Sequence, residues 1–436
     1  MIDKIKTKLS EDIHFKELIQ GSLTFFILRI LGLIVGYAFT LIVTRNLGAS
    51  AWGIFALCFT VLQITSIIGK LGLDTALLRF IAQYNAQGRI KTAKHIYLKS
   101  IIVIIPLSLF LSIFLYYLSP FLAERVFKKP HLASYFKLMS FALLPFVLLS
   151  INSESLRAFK KIKEYTTLQT FLPFLFALIF FSISFYILNI KNIKVVIIVY
   201  ILGIGISFFL SFLLLNKEFS NKNSKLEKIS IRQILSVSLP MFLSNSLFMV
   251  ISWTDTIMMG MWRTEEEVGI YNVAVRLSII TSFTLMAINS IAAPKFAEFW
   301  GKNDLESLKR IVQQSTKLIF WTSTPILILY LIFPGWFMGL FGKEFKKGTL
   351  ALIFLTIGQF ANAACGSVGY ILQMTGHQKF VQNIILIAAM LNVILNYLLI
   401  PIYGLIGAAI ASAISIIFWN VVFSLKVKSF LNIYCF

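Results

Sequence analysis

The chain has 436 residues, 58% hydrophobic and 13% charged, with a mean hydropathy of +0.85 and a formal net charge of +22. A soluble protein of this length needs far more polar residues to cover its surface, so the composition excludes a soluble enzyme or binding module and indicates a polytopic, all-α membrane protein. The basic residues lie in short loops between apolar runs, where topology and anionic lipid headgroups account for them better than nucleic acid does.

Residues 1–20 are charged, without an apolar core of their own, and read as a cytoplasmic amphipathic N-terminus with no cleaved signal. About twelve spans follow, near 21–43, 52–72, 98–118, 138–156, 168–188, 195–215, 236–261, 269–291, 318–340, 349–373, 381–400 and 403–424. They group as a six-helix bundle over 21–215 and a second over 234–425. Between them lies the basic, Lys- and Asn-rich linker 216–233, and a tail occupies 426–436. With both termini inside, 27 of the 40 Lys and Arg residues fall in cytoplasmic segments, as the positive-inside rule requires. Pro106, Pro145, Pro173, Pro240, Pro294 and Pro325 lie in or at the ends of spans, where they can bend helices.

Three charged residues lie deep inside spans, where charge is costly and usually faces protein or water. Asp255 and Arg276 sit at matched depth on consecutive helices and are expected to form an interhelical pair, with Asp255 the one candidate for ion coupling. Arg29 has no acid at its depth in the neighbouring spans. A guanidinium there could hold phosphate in a bidentate fork, against the simpler reading that it snorkels to the cytoplasmic surface. On the cytoplasmic side of the second span, Lys70, Asp74 and Arg79 could form a gate or an entry patch, against the simpler reading of basic anchoring, which any cytoplasmic loop shows. The amides Asn245, Asn272, Asn289, Gln359, Asn362, Asn392 and Asn396 could bridge helices or meet sugar hydroxyls, and Trp253 and Tyr271 could stack on sugar faces. Cys58, Cys365 and Cys435 and the four histidines are scattered, and no cofactor or metal is expected.

Three segment pairs recur at an offset of 216 or one less: AWGIFA from Ala51 with EVGIYN from Glu267, the run from Arg79 with that from Lys295, and LRAFKKIKEY from Leu156 with LQMTGHQKFV from Leu372. Six spans per copy is even, so the two repeats would insert in parallel, an arrangement of alternating-access transporters. Three stretches also resemble a known family: TRNLGASAWGIFAL, GKLGLDTALLRFIAQY and DTIMMGMWRTEEEVGIYNVAVRL. The chain resembles the polysaccharide-transporter, O-antigen-type flippases of the superfamily that also contains multidrug-extrusion transporters and lipid II flippases. That resemblance implies a V-shaped pair of bundles that carries a lipid-linked oligosaccharide from the inner to the outer leaflet of the cytoplasmic membrane. For such a substrate the candidate contacts among the residues read above are Arg29, Asn245, Arg276, Trp253, Asn272 and Tyr271; membrane lipids rather than nucleic acid are the expected partners, and a monomer is expected. A cation-coupled drug antiporter is the nearest alternative, though one deep acid against two deep arginines disfavours it. A multispanning glycosyltransferase or polymerase is the alternative of another class. Enzymes of that kind use acids in an outer loop or a large outer domain, and here the first outer loop, TRNLGASA, holds no acid and no outer loop is large.

Overall fold

The computed structural model describes residues 13–220 and 226–431, with 13–25, 243–248, 250–252, 290–291 and 293–294 as backbone alone. Each expected span falls mainly on helix, with breaks at 141–142, 333 and 366–367 inside three of them, and the described residues contain no strand. Residues 1–12, 221–225 and 432–436, parts of the expected N-terminus, linker and tail, lie outside the described residues.

The first two expected spans form one helical run, α1 (Ile13–Lys70), interrupted at Gly48, whose φ of 83° only glycine adopts at little cost. Then come α2 (Leu73–Ala86), α3 (Ile90–Phe121), α4 (Leu132–Ser140), α5 (Leu143–Ala158), α6 (Ile162–Ile187) and α7 (Ile193–Phe219). The second part of the chain forms α8 (Ile231–Trp262), α9 (Glu265–Ile279), α10 (Phe283–Gly301), α11 (Leu305–Ile332), the short α12 (Pro334–Gly339), α13 (Thr349–Cys365), α14 (Val368–Met374), α15 (Gln378–Tyr403) and α16 (Leu405–Leu431). Among the described residues, nine helical stretches are long and apolar enough to cross a bilayer, and the pair α4–α5, bent by 44°, makes a tenth. One of the nine, residues 26–70, carries two expected spans. The protein is a multi-pass membrane protein.

Two compact units emerge. One holds the chain up to Ile42 together with Cys58–Ser246; the other holds Val43–Leu57 and the chain from Leu247 onward. The turn after the first span therefore belongs with the second unit. There Gly53 and Gly269 let α1 and α9 touch backbone to backbone. A Cβ on either would come within 2.9 Å of the other's amide nitrogen and closer still to a carbonyl oxygen, of Glu265 or Ala49 respectively. Glu344 accepts from the Ala49 N–H, and Arg45 Nε donates to the Leu340 carbonyl at 2.7 Å.

Helix ends follow side-chain chemistry. Thr264 caps α9 by accepting from the Glu267 N–H, so the three consecutive acids Glu265–Glu267 stand in a first turn, where the helix dipole favours negative charge. Four other ends share one closing bond, from an N–H to the carbonyl five residues back: Arg89 to Tyr84 (2.8 Å), Lys161 to Leu156 (3.0 Å), Asp304 to Phe299 (3.0 Å) and His377 to Leu372 (2.8 Å). The left-handed residues that permit these turns are Gly88, Lys160, Asn303 and Gly376. Gly88 and Asn303, and Lys160 and Gly376, are the aligned positions of the segments that recur in the sequence. Lysine is the misfit, since a left-handed backbone costs a Cβ-bearing residue roughly 1–2 kcal/mol. Lys160→Gly should therefore leave the melting temperature in detergent unchanged or raise it. A clear fall would mean the lysine side chain holds the turn.

Within the first unit the expected linker is docked at its described end. Glu227 pairs with Arg89 at 3.0 Å, its N–H donates to Thr92 Oγ1 at 2.9 Å, and Lys99 Nζ donates to the Ile229 carbonyl at 2.7 Å.

Candidate functional site

The second unit buries one carboxylate. Asp255 lies on α8 at 6% exposure. It accepts hydrogen bonds from Tyr271 Oη on α9, from Asn396 Nδ2 on α15 at 2.6 Å and from Ser412 Oγ on α16. Asn396 Nδ2 also donates to Asn392 Oδ1 at 3.0 Å, and both amides are fully buried. The expected pair of Asp255 with Arg276 is not the arrangement found. Arg276 is five residues beyond Tyr271, about 140° further round the helix, so equal depth does not bring it to the same face. Its guanidinium lies over the Trp52 ring, 5.0 Å from the centroid. Trp52, fully buried, donates from Nε1 to Asn272 Oδ1 at 3.1 Å. A cation held on a desolvated tryptophan face is stabilised by about 2 kcal/mol.

Tyr271 is 1% exposed and occupied by Asp255, so it does not offer a sugar a face here. Trp253 is half-buried on α8, and Asn272 is tied to Trp52. The side chain of Asn245 lies outside the described residues. A carboxylate with two amides and two hydroxyls offers only hard oxygen ligands and proton donors, chemistry that suits a proton or a small cation. Among the described residues no three His, Cys, Asp or Glu side chains come together.

The first unit collects its charge differently. Arg29 is not isolated: it acts electrostatically on Tyr165, whose ring carries the Arg157 guanidinium at 5.2 Å and whose hydroxyl bonds Glu154. Arg157 also pairs with Glu154 at 3.4 Å. Glu154 lies on α5, in the bent α4–α5 pair. Asp74 pairs with Lys70 one turn back at 3.3 Å, which leaves Arg79 to a separate role. Arg79 faces a groove of about 810 Å³ shared with Arg157 and Lys160. Sequence reasoning overlooked Arg157, Lys160 and Tyr165, although the run LRAFKKIKEY displayed them.

The sequence pattern of the family described as Polysaccharide biosynthesis protein matches residues 18–300. The chain belongs to that family. The MatE pattern also matches, over residues 240–398. Among relatives of this chain is a probable low-salt glycan biosynthesis flippase of Haloferax volcanii, 28% identical over 183 residues, or 42% of this chain and 39% of that one. The match thus spans about two fifths of that relative's length. Two solved structures share the fold. An inward-facing multidrug resistance MATE family transporter of the MOP superfamily superposes with a TM-score of 0.76 at 15% identity, covering 94% of this chain and 98% of the other. The lipid II flippase MurJ, in an inward closed conformation, gives 0.73 at 16% identity, covering 94% and 87%. Family membership, fold and multi-pass character agree with the resemblance drawn from the helix-end motifs.

Proposed function

We propose that the protein is a flippase that moves an isoprenoid (pyro)phosphate-linked oligosaccharide across the cytoplasmic membrane by alternating access, for assembly of a surface polysaccharide. The observation that carries this reading is the family match over residues 18–300, joined by the glycan-flippase name of a relative. The deep cations suit it as well. Arg29 and Arg276 lie within spans, and a phosphate-bearing headgroup needs positive charge where water is scarce. In this reading the two bundles are parallel repeats arranged as a V, the termini are cytoplasmic and the carrier works as a monomer. Arg29, Arg276, Trp253, Asn245 and Asn272 border the path, and Asp255 couples movement to a proton or cation.

The test is reconstitution in liposomes with a fluorescent isoprenyl-pyrophosphate sugar, scoring leaflet transfer against protein-free vesicles. Transfer well above that control is expected. The MatE match and the buried Asp255 favour a second reading, a cation-coupled antiporter of small molecules. Ion-gradient-driven uptake of a cationic dye, with no lipid transfer, would select it.

A further inference from the structure

We propose that the groove between α2 and the turn joining α5 to α6 is a docking site for the pyrophosphate of the lipid-linked substrate, occupied at the membrane surface before the headgroup crosses. The proposal rests on the flippase reading and assigns it a site that none of the span-buried residues forms.

Every residue lining the groove belongs to the first unit. Three of them are cations, Arg79, Arg157 and Lys160, and no acid lines it. Of the nearby carboxylates, Asp74 is engaged by Lys70, and Glu154 by Tyr165 and by Arg157, one of the groove cations. Among the described residues Arg79 makes no ion pair. Its wall of α2 is low, with Ala82 and Ala86 one and two turns on, and Asn85 adds an amide donor. An arginine fork, a second guanidinium and an ammonium around one opening of about 810 Å³ make a receptor for an anion with several oxygens, and the volume exceeds what a single phosphate fills.

The aligned second segments sharpen the argument. Where the first unit has Arg79, Arg157 and Lys160, the second has Lys295, Gln373 and Gly376. The turn at Lys160 needs a left-handed residue, and Gly376 meets the same need without strain. The first unit keeps a lysine at that strained position, where its side chain reaches the groove. A residue held against its backbone preference and aimed into a cationic opening suggests a role in binding.

The test uses the full-length protein in nanodiscs of zwitterionic lipid and a fluorescent isoprenyl pyrophosphate as probe. Arg79→Gln and Arg157→Gln should each weaken binding by about tenfold, the range for loss of one charge-assisted hydrogen bond. Lys160→Gly should weaken it several-fold without lowering the melting temperature, which separates loss of binding from loss of folding. Lys295→Gln in the second unit should leave binding unchanged. Equal binding by wild type and all three groove variants would overturn the proposal. So would competition by inorganic pyrophosphate at the same concentration as the lipid probe, which assigns the groove to a soluble anion. Full displacement by phosphatidylglycerol nanodiscs at matched phosphate would likewise reduce it to a general headgroup patch. The flippase reading fails separately, if wild-type protein binds the probe in this groove yet transfers no lipid between leaflets.

Discussion

Gly53→Val is expected to abolish accumulation of folded protein in the membrane, and Gly269→Val to do the same. At this crossing two helix backbones touch, and neither position has room for even one carbon. A Cβ at Gly53 would lie 2.7 Å from the carbonyl carbon of Glu265 and 2.9 Å from Gly269 N. Backbone cannot swing aside as a flexible side chain can, so the helices must separate. Separation would strip the contacts around Trp52, which is fully buried beside Phe55 with ring centroids 5.2 Å apart. It would also strip the bonds from Ala49 to Glu344 and from Arg45 to Leu340. Overpacking alone costs about 1–3 kcal/mol, and loss of the tryptophan's packing adds about 3–5 kcal/mol, together a large part of a typical folding free energy. Gly53→Ala should be the milder variant yet still lower the melting temperature by several degrees. Fluorescence-detected size exclusion of the tagged variants reads both, and a normal monodisperse peak from Gly53→Val would show that the crossing can open without penalty.

The apolar runs of about 20 residues were legible because a bilayer leaves a chain no other way to satisfy its backbone, so each predicted segment lies mainly on helix. Azimuth was not legible. Depth along the membrane normal follows from counting residues, but Asp255 and Arg276 were placed together on depth alone, and five residues of helix separate Arg276 from the tyrosine that does meet Asp255. The surroundings of Arg29 were not legible either. Its electrostatic neighbour Tyr165 bonds an acid on α5, and sequence does not say which helices pack against which. Tyr271 read as a possible sugar platform because an aromatic in a span has no visible partner until folding supplies one. The linker was legible as a basic join from its Lys and Asn content, but the partners that Glu227 and Ile229 find on α3 and its N-terminal turn were not. Lys160 carries no local signal of a left-handed turn. Only its alignment with Gly376 hinted at one.

Asp255→Ala is expected to cost several kcal/mol and to stop transport, because three donors converge on a carboxylate that alanine cannot replace. Tyr271 Oη, Asn396 Nδ2 and Ser412 Oγ would each face a buried void, and an orphaned buried donor costs about 1–3 kcal/mol. Asp255→Asn keeps the volume and one acceptor oxygen. Its NH2 can meet Tyr271 Oη and Ser412 Oγ only if those hydroxyls turn their protons elsewhere and accept, so it should cost about one hydrogen bond, roughly 1–2 kcal/mol, and remain foldable. That makes the asparagine variant the informative one for function: if Asp255 exchanges a proton or cation, leaflet transfer should lose its dependence on the ion gradient while the protein still binds its substrate. Two double-mutant cycles distinguish the observed network from the ion pair that depth suggested. Asp255→Asn with Tyr271→Phe should be non-additive by about 0.5–3 kcal/mol, since the two groups share one hydrogen bond, whereas Asp255→Asn with Arg276→Gln should add within about 0.5 kcal/mol. Thermal unfolding of the purified variants measures both. Strong coupling to Arg276 together with none to Tyr271 would mean that the carboxylate answers to the guanidinium after all, and that Trp52 holds Arg276 only in passing.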